Sequence, residues 1–138
     1  MIVAEQKPLE EIMKSLEGFE RIAIAACGTC VTVCMAGGEK EALKLASILE
    51  LKGKEKNVPV KVKVVTPKRQ CDVEFLDDVA EDIQDSDVVL SMGCGAGIQF
   101  MAERFRGKLV LPGVNTKFIG VARDVGVWTE MCQGCGEC

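Results

Sequence analysis

A mixed α/β domain built on a mostly parallel sheet is predicted by two features of the sequence. Short apolar runs alternate with helical periodicities along most of the chain, which is the pattern of strands joined by crossover helices. Cysteines also stand just past the ends of three of those runs, at Cys27, Cys71 and Cys94. In open α/β sheets, ligands gather at the carboxyl ends of the strands.

Each element has its own warrant. Pro8 opens a helix with Leu9, Ile12, Met13 and Leu16 on one face, and Gly18 ends it. Arg21 to Ala26 reads as a short buried strand. Glu39 to Lys52 reads as a helix, with Ala42, Leu45, Ala46 and Leu49 at helical spacing and Gly53 as its stop. Val60 to Val65 alternates Val with Lys, so that strand has one wet face and belongs near a sheet edge. A helix is expected from Asp72 to Gln84, a buried strand from Asp87 to Met92, and a helix from Ile98 to Arg106. A fourth strand is expected from Leu109 to Val114. Between Asn115 and Glu130 only a short strand near Phe118 to Val121 is expected.

The resulting expectation is one Rossmann-like or flavodoxin-like domain with four to five strands and a cysteine-rich C-terminal tail. Its parts would be an N-terminal helix in residues 1–20, an α/β core in 21–114 and the tail in 115–138. With the 21–26 strand central, the strand order becomes 2-1-3-4, and Cys71 and Cys94 flank the loop that carries Cys27.

Composition narrows the function. The chain has 138 residues, of which 48% are apolar and 28% charged, enough for one domain with an aliphatic core. Its net charge of -4 argues against a nucleic-acid groove, which needs surplus Lys and Arg. No apolar run reaches the roughly 20 residues of a membrane span. Met1 to Lys7 lacks the basic leader and apolar core of a signal peptide, so a cytoplasmic location is expected.

The eight cysteines are the functional signal. In a reducing compartment, clustered thiols bind metal or do redox chemistry more often than they form disulfides. The chain has no histidine, so a soft-metal site has to be built from thiolates. Cys27, Cys30 and Cys34 form a C-x2-C-x3-C run, and Cys132, Cys135 and Cys138 form a C-x2-C-x2-C run with Gly134 and Gly136 between them. Two triads plus the single Cys71 and Cys94 account for all eight. Triads suit cubane clusters, which take one thiolate at each of four separated irons; structural zinc more often takes paired C-x2-C knuckles. One or two 4Fe–4S clusters are therefore expected, with zinc as the alternative. Which cysteine completes which site is left open, and the fourth ligand of the terminal triad is sought either among the single cysteines or beyond residue 138.

Other features have simpler readings. Gly93-Cys94-Gly95-Ala96-Gly97 lacks dinucleotide-loop spacing and is read as a tight turn carrying one ligand. Gly37-Gly38 before Glu39 is read as a turn whose acidic neighbours suit a helix start. Trp128 is read either as a lid over a cluster or as part of a partner surface. Cys27-Gly28-Thr29-Cys30 admits a thiol-oxidoreductase reading, which the third cysteine and the second triad disfavour. No His base, P-loop or carboxylate pair supports catalysis by the chain alone.

Five ordered motifs resemble those of the methylenetetrahydrofolate reductase C-terminal-like family, the small cysteine-rich subunit that accompanies the catalytic reductase in acetogens and related anaerobes. They are Cys27 to Cys34 followed by Gly37 to Glu41, Arg69-Gln70-Cys71-Asp72, Ser91 to Gln99, Asn115 to Gly120, and Cys132 to Cys138. The resemblance covers residues 21–138. It implies an iron–sulfur electron-transfer subunit that relays electrons between a donor protein and the flavin of a methylenetetrahydrofolate reductase catalytic subunit, as a non-catalytic accessory. It also implies that Cys27, Cys30, Cys34, Cys71, Cys94, Cys132, Cys135 and Cys138 are the ligand cysteines. Members of that family usually carry further cysteines after the last run. A zinc-binding interaction module of the same complex is the alternative reading.

Overall fold

The structure is a computed structural model and describes residues 1–136. Along the chain it contains β1 (Ile2–Gln6), α1 (Leu9–Ser15), β2 (Arg21–Ala25), α2 (Cys30–Val33), α3 (Glu39–Glu55), β3 (Lys61–Val65), α4 (Val73–Asp77), α5 (Ala80–Gln84), β4 (Val88–Ser91), α6 (Gly95–Arg104), β5 (Leu109–Pro112), β6 (Val114–Asp124) and β7 (Val127–Glu130). The strands form a four-stranded sheet in the order β3-β2-β4-β5 and a three-stranded sheet in the order β1-β6-β7.

Every neighbouring pair in the four-stranded sheet is parallel, and its order is the one expected with the 21–26 run central. The unbroken apolar runs explain why β2 and β4 take the middle. Every β4 residue and all but the first of β2 are buried, as they are when both faces of a sheet are covered. The side chains divide by the two-residue period of a strand. Ile22, Ile24, Val88 and Leu90 enter one core with Ile12, Ala42, Leu45 and Leu49. Ala23, Ala25 and Val89 enter a second core with Leu76, Ile83, Met101 and Phe105. Small residues on β2 and large ones on the helices fill the second face. β3 keeps its Lys residues wet at the edge, as its alternation requires.

Four expectations are corrected. Residues 1–20 do not consist of a helix alone: α1 is preceded by β1, which pairs antiparallel with β6 from Ile2↔Ile119 to Gln6↔Val114. A five-residue strand carrying Glu5 and Gln6 has little local signal, and it forms because a partner about a hundred residues away presents the matching edge. Second, residues 114–130 are no irregular tail: β6 and β7 form an antiparallel hairpin that turns at Val125-Gly126, with Gly126 at φ 75. The sheet system as a whole is therefore parallel in one part and antiparallel in the other. Third, the 72–84 helix is split into α4 and α5; nothing in the packing explains the break. Fourth, Gly53 lies inside α3 instead of stopping it, because its bare Cα faces Val60, whose Cβ would lie 3.1 Å from an added methyl. The helix ends beyond it, where Asn57 takes φ 53.

No helix among the described residues is long and apolar enough to cross a membrane.

A candidate metal centre at the carboxyl edge

Three loops leave the carboxyl edge of the parallel sheet side by side, and each carries a cysteine. Cys27 follows β2, Cys71 follows β3 and Cys94 follows β4. Backbone bonds stitch the loops together. Ala26 N–H donates to Val65 O (2.9 Å), Gly28 N–H to Pro67 O (3.2 Å) and Met92 N–H to Ala25 O (2.8 Å). Gly28 lies close against the next loop, where a Cβ would come within 3.1 Å of Lys68 O. Gly37 is tighter still: a Cβ there would overlap the carbonyl of Met92. That close approach carries the 27–38 loop back over β4, where Gly37 O accepts from Cys27 N–H (3.0 Å) and Thr32 Oγ1 donates to Cys27 O (2.7 Å).

The thiols fall into two groups by the charges they feel. Burial pushes the Cys71 thiol up from its ordinary pKa, and the charges of Cys27 and Cys94 push it further; these are the three cysteines of the strand ends. Burial likewise pushes Cys34 up, assisted by the charge of Cys30, while the backbone of Ala4 in β1 pulls it down. Cys34 is buried, and its thiol donates to Ile2 O of β1 at 3.5 Å. That side chain is turned toward the antiparallel sheet. Cys27 is also buried, Cys30 and Cys94 are half-buried, and Cys71 is exposed.

The expected eight-cysteine set is thus only partly gathered. Cys27, Cys71 and Cys94 come together at one edge, with Cys30 on the adjoining first turn of α2. Cys34 looks elsewhere. Cys132 and Cys135 lie exposed beyond β7, where Met131 and Cys132 N–H donate to Ile119 O. Cys138 lies outside the described residues. Among the described residues, no three Cys, Asp or Glu side chains are drawn tightly enough to grip a single ion.

Electrostatics at the edge are otherwise mild. Cys94 is the N-cap of α6. The first amide of that helix, Gly95 N–H, donates to Thr116 Oγ1 of β6 (2.9 Å), which ties the Cys94 turn to the second sheet. Lys68 and Arg69 stack on Phe75 beside Cys71.

Two residues that sequence reasoning passed over hold this edge. Gln70 is wholly buried; its Nε2 donates to Ala25 O (2.7 Å) and Ala26 O (2.9 Å). Its Oε1 accepts from the buried Ser91 Oγ (2.6 Å), and Ser91 Oγ in turn accepts from Gly93 N–H (3.2 Å). The glycine run around Cys94 now has a reason. A Cβ at Gly93 would overlap Gln70 Oε1, and one at Gly97 would sit 3.0 Å from Gln70 Cβ. The available signal was Ser91, a hydroxyl ending an otherwise apolar buried strand, because such a group has to find a partner.

Trp128 packs half-buried against the first core, and its Nε1 is buried with no hydrogen-bond partner among the described residues. With Val33, Met35, Val125 and other hairpin residues it lines a shallow cavity of about 280 Å³. It therefore bridges α2 and the β6–β7 hairpin.

Comparison with family models, curated proteins and solved structures finds no match.

Proposed function

We propose that this chain is an iron–sulfur electron-transfer subunit that relays electrons to or from the flavin of a methylenetetrahydrofolate reductase catalytic subunit. The observation that carries the metal part of this reading is the delivery of Cys27, Cys71 and Cys94 by three neighbouring strand ends of one parallel sheet. The reductase assignment rests on the five-motif resemblance described above.

The donor set fits a soft cluster. It is all sulfur and it comes from separate loops, and a cubane takes its four thiolates at four separated irons. Cys27, Cys71 and Cys94 would hold it, with Cys30 as fourth ligand, because the Cys34 thiol is turned away to Ile2 O of β1. A cluster held there would supply one-electron transfer. The protein's own part is to orient and shield. Burial of Cys27 keeps water from one side, and the exposed Cys71 leaves the other side open to a partner.

Anaerobic purification with iron, sulfide and zinc counted per chain tests the reading. A brown protein carrying iron and sulfide, and losing both in Cys94→Ser, is expected. A colourless protein with stoichiometric zinc replaces this reading with the zinc-binding interaction module. Metal-free protein that turns over small dithiols, and stops in Cys30→Ser, replaces it with a thiol oxidoreductase. Binding to the flavoprotein subunit is tested by co-purification of the two chains.

A further inference from the structure

We propose that Gln70 is the positioning residue of the thiol site, a neutral strut whose amide sets the spacing of Cys27, Cys71 and Cys94. Its contacts fall within one to three residues of a cysteine in sequence. Gln70 itself precedes Cys71. Ala26, whose carbonyl it binds, precedes Cys27. Ser91, bound to its Oε1, passes the contact to Gly93, which precedes Cys94. One side chain thereby touches all three cysteine-bearing loops from within the fold.

The chemistry requires an amide. Two backbone carbonyls need donors and the Ser91 hydroxyl needs an acceptor; among the side chains, an Asn or Gln head supplies both at once. The same contacts fix the orientation of the amide, since Nε2 has to face the carbonyls. A carboxylate there would face two carbonyl oxygens and add a negative charge behind three thiols. Gln70 is also fully buried and the glycines at 93 and 97 are cleared around it, so the strut has one place to stand. Groups that orient metal-binding side chains from behind typically change metal affinity by about 10–100-fold when removed.

The metal readouts rest on the function proposed above; the thiol readout does not. Gln70→Met keeps length and volume and deletes the amide, and Ser91→Ala deletes the hydroxyl that links Gln70 Oε1 to Gly93 N–H while leaving Gln70 in place. In the metal-free chain, alkylation rates of Cys71 and Cys94 are measured by mass spectrometry against Cys132 of the same molecule. In the anaerobically loaded chain, metal retention, the electron paramagnetic resonance spectrum and the midpoint potential are measured. Gln70→Met is expected to change the Cys71 and Cys94 rates several-fold relative to Cys132, to weaken metal retention by about 10–100-fold, and to shift spectrum and potential. Ser91→Ala should move the same quantities less. Wild-type rates, spectrum and potential in a folded Gln70→Met protein overturn the strut. Should Gln70→Met fail to fold, Ser91→Ala decides: altered Cys94 reactivity supports the strut and unaltered reactivity overturns it. A wild-type chain that binds neither iron nor zinc sinks the proposed function, while the alkylation result still decides the role of Gln70.

Discussion

The two cysteine-bearing regions of this chain are built on opposite principles. At the carboxyl edge of the parallel sheet, Cys27, Cys71 and Cys94 hang from strand ends that are buried, cross-bonded and braced by the Gln70 amide. Beyond β7, Cys132 and Cys135 sit exposed on a segment whose glycines, Gly134 and Gly136, take φ 70 and 78 and touch nothing. The first region has its geometry imposed by the fold. The second keeps the freedom to wrap a ligand. Preorganisation comes from burial, and burial is what the terminal run lacks.

Core truncation should separate the regions most widely. Ile24→Ala, in the buried centre of β2, is expected to destabilise the protein by about 2–5 kcal/mol. Val127→Ala, half-exposed in β7, should stay within about 0.5 kcal/mol. Urea unfolding midpoints of the two variants check this, and equal losses would erase the distinction.

The glycines give a second, smaller contrast. Gly37→Ala forces a methyl into the Met92 carbonyl and should lower stability by about 1–3 kcal/mol. Gly134→Ala meets open space and pays only for its left-handed backbone, about 1 kcal/mol. A Gly37→Ala protein as stable as wild type would mean that the 27–38 loop does not close over β4.

Thiol accessibility sharpens the comparison without any substitution. In the metal-free protein Cys132 and Cys135 should alkylate first, and the buried Cys27 and Cys34 should lag by at least about tenfold, since they require local opening. Cys34 reacting as fast as Cys132 would place it at the surface and reopen its candidacy as a ligand.

The smallest effect is expected at the opposite edge of the sheet. There Arg21 donates to Asp87 through its backbone N–H (2.8 Å), Nε (3.0 Å) and Nη2 (2.6 Å). The Arg21 side-chain bond holds the Asp87 carboxyl below its ordinary pKa. A lowered carboxylate contributes stability above the ordinary value of about 4 and loses it as pH falls through the lowered one. The gap between wild type and Asp87→Asn should therefore be present at neutral pH and close in acid. The Arg21 side chain is exposed and that of Asp87 is only half-buried, so the gap is small. A gap that widens in acid would contradict the pairing.

The parallel sheet was legible because its evidence is local. Apolar runs at Ile22 to Ala26 and Val88 to Leu90 announce buried strands without reference to anything else, and cysteines placed just after strands read as edge residues. The antiparallel sheet was not legible. β1 is short and half polar, and most of β6 faces solvent, so neither strand carries a pattern that survives without its partner. Gln70 escaped for a related reason. An exposed and a buried glutamine are the same letter, and only the folded loops show which carbonyls it answers.

From the residues alone follow the α/β class, the strand order of the parallel sheet, and the placing of Cys27, Cys71 and Cys94 after successive strands, because periodicity and position along the chain are local properties. The tertiary structure alone decided that Cys34 turns to Ile2, that residues 114–119 pair with the N-terminal strand, and that one buried amide joins three loops. Those are contacts between segments far apart in sequence, and their geometry exists only once both sides are in place.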